Sequence, residues 1–131
     1  MARILLVDDE DHIRDLGKRI LEHAGFTVIT AANAREALEI YSRERSNIAL
    51  VVLDLIMPLM SGAKCLEELL RIDPGVKVIV STGHSMDTPE RLHIESLARG
   101  FVNKPYEVRQ LVQAVRKGLS SGGPAGDRPP T

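Results

Sequence analysis

Five short aliphatic runs, each set off from the next by a longer amphipathic stretch, restrict this chain more than any other feature. The runs are Ile4–Val7, Phe26–Ile29, Ile48–Leu53, Val76–Val80 and Phe101–Val102. They are rich in Val and Ile and mostly continuous, with few polar residues interleaved. Strands that read this way are buried on both faces, the habit of parallel sheets. The intervening stretches carry helical spacing. Ile13, Leu16, Ile20 and Ala24 fall on one face, and Gly25 follows as a stop. Asn33 and Glu36 form a capping box for a helix whose apolar face is Ala34, Ala37, Leu38 and Tyr41. Cys65, Leu66, Leu69 and Ile72 mark a third helix, closed by Asp73-Pro74-Gly75. Thr88-Pro89 opens a short fourth one of about ten residues after an irregular loop at His84–Thr88. Val108, Leu111, Val112, Val115 and Leu119 mark the fifth.

Strand and helix repeated five times predict an α/β fold, a parallel sheet with right-handed crossovers and helices on both faces. The length, 131 residues, suits one domain. We place that domain at residues 1–119 and read 120–131 (SSGGPAGDRPPT), rich in Gly, Pro and Ser, as a disordered tail or linker. Aromatic residues make up 3% of the chain and Trp is absent, so the core must be aliphatic.

Composition removes several function classes. The formal net charge of −1 offers no basic field for nucleic acid or an anionic membrane surface. Ile48–Leu53, the longest apolar stretch, falls far short of the roughly 20 residues of a membrane span. Acidic residues as early as Asp8 do not suit a signal peptide. A single cysteine, Cys65, allows no internal disulfide, and the expectation is a reducing, cytoplasmic setting. Cys65 itself reads as a packing residue. His12, His23, His84 and His93 lack metal-ligand spacing, and Arg43, Glu44 and Arg45 read as a solvated helix end.

Ligands of open α/β sheets bind at the carboxyl ends of the strands, so the residues just past each run carry the chemistry. Asp8, Asp9 and Glu10 come after the first, Asp54 after the third, Ser81 and Thr82 after the fourth, Lys104 and Pro105 after the fifth. The second ends in Thr30-Ala31-Ala32, as expected for a strand at the margin. Acidic residues opening a helix are often only caps, and a Thr after a strand is usually a turn residue. Asp54 is harder to explain that way, because an ionised carboxylate at the end of a buried strand is costly without compensation. Three carboxylates about 5 Å apart repel by about 3 kcal/mol per pair at an effective dielectric near 20, more than one lysine offsets. A hard divalent cation, Mg²⁺ above all, resolves the excess in an oxygen-only cluster and prepares it for phosphate.

At these residues the chain resembles the receiver domains of two-component response regulators, the chemotaxis regulators among them. The matching segments are Ile4-Leu5-Leu6-Val7-Asp8-Asp9-Glu10, Asp54-Leu55-Ile56-Met57-Pro58 with Gly62, Ser81-Thr82-Gly83, and Phe101-Val102-Asn103-Lys104-Pro105, within residues 2 to about 119. The resemblance implies a flavodoxin-like (βα)5 sandwich with strand order 2-1-3-4-5. It implies Asp54 as phosphoacceptor, Mg²⁺ held by Asp9, Asp54 and the backbone carbonyl of Ile56, and Asp8 assisting through water. Lys104 and Thr82 would contact phosphoryl oxygens, Gly83 would leave room for them, and a cis bond would precede Pro105. Thr82 and Phe101 would switch the surface of helix 4, strand 5 and helix 5. The implied partners are a sensor histidine kinase or phosphotransfer protein and a downstream protein at that surface. The chain would catalyse only its own phosphorylation and dephosphorylation, without turnover. Two other classes share parts of this pattern. A haloacid-dehalogenase-type phosphatase would use Asp9-Glu10-Asp11, but Asp11 should already be helical. A flavin-binding relative would need Gly, Ser and Thr where four acidic residues stand.

Overall fold

The computed structural model describes residues 2–55, 57, 60–83 and 89–120, the side chains of 89–92 excepted. Five strands alternate with five helices: β1 (Arg3–Val7), α1 (Asp11–His23), β2 (Thr27–Ala31), α2 (Ala34–Glu44), β3 (Leu50–Asp54), α3 (Gly62–Ile72), β4 (Val78–Thr82), α4 (Pro89–Leu97), β5 (Gly100–Asn103) and α5 (Val108–Ser120), with a 3-10 turn at Arg45–Asn47. All pairings are parallel, in the order β2-β1-β3-β4-β5. The bare second strand is indeed an edge.

Alternate side chains of each strand enter two separate cores. Ile4, Leu6, Leu50, Val52, Ile79 and Val102 pack with Ile20 and Leu21 of α1 and Leu111, Val112 and Val115 of α5. Leu5, Val7, Val51, Leu53, Val78 and Val80 pack with residues of α2, α3 and α4. Burial on both faces is the reason the runs are continuous in sequence.

The strands end later than the apolar runs. Ser81 and Thr82 belong to β4, paired with Val102 and Asn103, because ladder hydrogen bonds continue past the hydrophobic residues. At the other end Ile48 closes the 3-10 turn, donating to Arg45 O, and the strand starts at Leu50.

The helix starts and stops follow the caps. Asn33 Oδ1 accepts from Glu36 N at 2.8 Å, and Glu36 Oε1 accepts from Ala32 N, one residue before the position of an ideal capping box. Gly25 follows α1 with φ 103°, a conformation that favours glycine.

Two members of the expected apolar stripes are exposed. Leu16 is 39% exposed because α1 presses on the sheet through Gly17, where a Cβ would lie 2.9 Å from Leu6 Cδ2. The buried seam therefore runs through Gly17, Ile20 and Leu21. Val108, 59% exposed, starts α5 ahead of its first core contact at Leu111. The Arg43–Arg45 segment is also more than a solvated end, since Arg45 Nη1 donates to Ile72 O at 2.7 Å and Glu44 pairs with Arg3. The His84–Thr88 loop, Thr88 as a cap and residues 121–131 lie outside the described residues; α5 itself runs through Ser120.

Candidate functional site

Three strand ends bring the site together. In β1 and β3 the parity that sends Ile4, Leu6, Leu50 and Val52 to the α1/α5 face sends Asp8 and Asp54 there too, and both are buried. Asp8 Oδ1 accepts from Glu10 N at 2.9 Å, which turns the chain sharply into α1. Arg14 fixes the same loop, donating from Nη1 to Asp8 O at 2.7 Å and from Nη2 to Asp11 Oδ1 at 2.6 Å.

Behind Asp54 the chain doubles back. Leu55 N donates to Ser81 O, and Gly62 N donates to Leu55 O at 2.8 Å. A Cβ on Gly62 would sit 2.4 Å from Asp54 O and 2.5 Å from Leu55 Cα, so only glycine lets α3 start this close to the aspartate. Ser61 caps that helix, accepting from Lys64 N.

From β5, Lys104 N donates to Thr82 O at 2.9 Å, and the Lys104–Pro105 peptide is cis, as the resemblance implied. Lys104 Nζ lies 3.2 Å from Asp54 Oδ2, 3.1 Å from Asp8 Oδ2 and 3.1 Å from Glu10 Oε1. Burial alone would lower the lysine's pKa, but the Asp8, Asp54 and Glu10 carboxylates outweigh it and raise it above its ordinary value.

Negative charge is nevertheless in excess. Carboxylate oxygens of Asp8, Asp9 and Glu10 lie within 4.8 Å of one another, and Asp54 joins them through the shared ammonium. Asp8 Oδ2 is buried and accepts no hydrogen bond among the described residues; its 3.1 Å approach to Lys104 is an ion pair without hydrogen-bond alignment. A buried carboxylate oxygen so placed, amid oxygen donors alone, fits a hard divalent cation.

Asp8, Asp9, Asp54 and Lys104 thus gather as expected, with Asp9 exposed and Asp8 fully buried. Thr82 is buried at the end of β4, and by strand parity on the opposite face. Phe101, half-buried, packs against that same core; it pairs with Val80, two residues before Thr82 in β4. A Cβ on Gly83 would meet nothing within 4 Å among the described residues, so packing against them does not require the glycine. Ile56 lies outside the described residues.

Sequence reasoning misses Glu10 as a partner of Lys104. It is the N-cap of α1, yet its side chain caps nothing and turns to the lysine instead. An acid at a helix start reads as a cap, and only the absence of Ser, Thr, Asn or Asp chemistry at that position hints otherwise.

The response regulator receiver domain family matches residues 4–116. The chain belongs to that family. It is 34% identical over 116 residues to the chemotaxis protein CheY of Thermotoga maritima, covering 88% of this chain and 95% of that one. It is also 38% identical over 118 residues to the sensor kinase CckA of Brucella abortus, where it covers 90% of this chain but spans only 12% of the relative. Among solved structures, a receiver domain protein from Clostridium thermocellum superposes with TM-score 0.84 at 33% identity, covering 91% of this chain and 94% of the other. The response regulator TrrA of Thermotoga maritima, solved in complex with Mg²⁺–BeF, superposes at 0.80 with 34% identity, covering 91% and 100%. This receiver domain therefore has the family's role, phosphoacceptor signalling in two-component systems. No helix among its described residues is long and apolar enough to cross a membrane.

Proposed function

We propose that Asp54 is the phosphoacceptor and that Asp8, Asp9 and Asp54 hold Mg²⁺ beside it. The backbone carbonyl of Ile56, which the resemblance adds to this set, lies outside the described residues. One observation carries the reading: a single ammonium, that of Lys104, meets carboxylates from the ends of β1 and β3 at 3.1–3.2 Å. An Asp54 carboxylate oxygen attacks phosphorus, the phosphorus–nitrogen bond of a kinase phosphohistidine breaks, and the imidazole leaves with the electron pair and is protonated. The bound cation would neutralise charge on the phosphoryl oxygens. Lys104, already released from ordinary solvent by its three carboxylates, swings its charge onto those oxygens, and Thr82 donates its hydroxyl to one. Gly83 leaves the approach open.

Each acceptor takes one phosphoryl group, so the domain acts as a switch and catalyses no turnover beyond its own phosphorylation and dephosphorylation. Phosphoryl binding draws Thr82, and Phe101 repacks on the same face, changing the surface of α4, β5 and α5 for a downstream protein. The donor is a sensor histidine kinase or phosphotransfer protein in the cytoplasm. A net charge of −1 supports a protein partner over direct nucleic-acid or membrane contact. The receiver runs through Ser120, the end of α5, and residues 121–131 form a tail or linker.

Intact-mass measurement after incubation with MgCl₂ and acetyl phosphate tests the central assignment. Wild type should gain one phosphoryl mass and Asp54→Asn none. Equal labelling of both would overturn it, and repeated release of phosphate from p-nitrophenyl phosphate would favour a phosphatase instead.

A further inference from the structure

A buried polar bond lies directly beneath the acidic site. Tyr106 OH donates to Ser81 Oγ at 3.2 Å, and both residues are buried. Ser81 is the register partner of Asp54 across the β3–β4 ladder, and its carbonyl accepts from Leu55 N. Tyr106 stands two residues after Lys104, past the cis peptide. Its ring belongs to the α1/α5 core, and Gly17 of α1 is so close that a Cβ there would lie 3.0 Å from Tyr106 Cε2. Burial above all raises the phenol's pKa, against the lowering effect of its hydrogen bond to Ser81, and the phenol stays protonated.

The main chain that carries Lys104 thus has two anchors on β4, one on either side of the cis bond. Before it, Lys104 N donates to Thr82 O; after it, the phenol reaches Ser81. A buried tyrosine hydroxyl needs a partner, and a phenylalanine would fill the same ring site without demanding one. The hydroxyl therefore has a use that packing does not supply.

We infer that the Tyr106–Ser81 bond is a positioning clamp that holds the Lys104 segment in register with the strand carrying Asp54, and so sets the rate of phosphoryl acceptance. The inference rests on the proposed role of Asp54. The clamp touches neither phosphoryl group nor cation: both residues act through Lys104. Cation ligands come from β1 and β3, so loss of the clamp should leave magnesium affinity alone.

Tyr106→Phe keeps the ring against Gly17, and Ser81→Ala removes the same bond from the other strand while keeping the backbone ladder. Phosphorylation by acetyl phosphate is followed by intact mass over a range of donor concentrations. Magnesium affinity is measured by calorimetry and folding by thermal melts. Each single variant should lower the limiting rate about three- to tenfold, the equivalent of one net hydrogen bond, at unchanged half-saturating donor concentration and magnesium Kd. The double variant should be no slower than the slower single, because both remove one bond. Wild-type rates in both singles, losses that multiply in the double, or a fall in magnesium affinity that accounts for the rate would overturn the clamp while leaving Asp54 in place. A wild-type chain that takes no phosphoryl group would overturn both.

Discussion

Asp8→Asn should make the magnesium-free protein more stable. Asp8 is fully buried and its carboxylate faces Lys104 Nζ at 3.1 Å, an attraction of about 5 kcal/mol at an effective dielectric near 20. Asp54 shares that ammonium at 3.2 Å, so the two carboxylate oxygens are at most about 6.3 Å apart and repel by at least ~2.6 kcal/mol. Asp9 and Glu10 approach Asp8 within 4.8 Å, and their exposure to solvent reduces each repulsion to about 1 kcal/mol. Attraction and repulsion therefore nearly cancel, and the desolvation of a buried charge, several kcal/mol before compensation, is left over. Asparagine keeps an oxygen to accept from Glu10 N, the hydrogen bond that Asp8 Oδ1 receives. The expected net gain is about 1–3 kcal/mol, a rise in Tm of roughly 5–10 °C for a domain of this size. Circular dichroism melts in EDTA and in MgCl₂ read both halves of the reasoning. Wild type should gain about 2.7 kcal/mol at magnesium a hundredfold above Kd, and the variant little. A variant that melts below wild type in EDTA would refute the charge balance and leave Asp8 as an ordinary ion-pair partner.

Removing the cation side should do the opposite. Lys104→Met strands Asp8 and Asp54 without a countercharge and should cost about 3–5 kcal/mol in EDTA, less with magnesium, as urea titrations would reveal. Gly62→Ala meets backbone at 2.4–2.5 Å, where no side chain can yield, and should cost at least ~2 kcal/mol and slow phosphorylation by displacing Asp54; wild-type melting would refute the contact. Burial above all, with Glu68 adding to it, pushes the Cys65 thiol up from 9.0 to about 12. Because the folded pKa is the higher one, the unfolded chain loses this proton first, and stability is present below pH 9 and falls between 9 and 12. Cys65 should contribute up to ~1.4 kcal/mol per pH unit there, so urea titrations of Cys65→Ala should show a shallower alkaline decline than wild type.

Sheet, helices and the acidic edge were legible because burial on both faces leaves an unbroken signal in Val and Ile, and because polar residues interrupt it at strand ends. What sequence concealed depends on register and on close approach. Ser81 and Thr82 read as residues after a strand, since their polarity outweighs the ladder bonds that keep them within it. Leu16 and Val108 satisfied the helical spacing, but Gly17 lets α1 sink onto Leu6 and turns Leu16 outward. Glu10 looked like a cap until Lys104, 94 residues away, proved to be its partner. The bond from Tyr106 to Ser81 has no local signature at all, because it needs the β4–β5 pairing and the turn at the cis peptide together.

Strand parity separates the two halves of the proposed switch. Asp8 and Asp54 share the parity of residues packed on α1 and α5, and Lys104 reaches them from the end of β5, so phosphoryl chemistry belongs to that side of the sheet edge. Thr82 and Phe101 share the parity of residues packed on α2, α3 and α4, where a change of packing can be felt by a partner. Adjacent residues of β4 connect the sides: Ser81 faces the first and Thr82 the second. A strand cannot shift one of these without moving the other, since successive side chains are joined by a single rigid peptide. In the proposed switch, a phosphoryl group that draws Thr82 must therefore load the Tyr106–Ser81 bond as well. Loss of that bond should then weaken the packing response of Phe101 per phosphoryl group, in addition to slowing phosphorylation. Chemical-shift changes of the Phe101 ring, compared in Tyr106→Phe and wild type when each is saturated with beryllofluoride, separate the two effects. A full-sized response in the variant would confine the bond's role to rate.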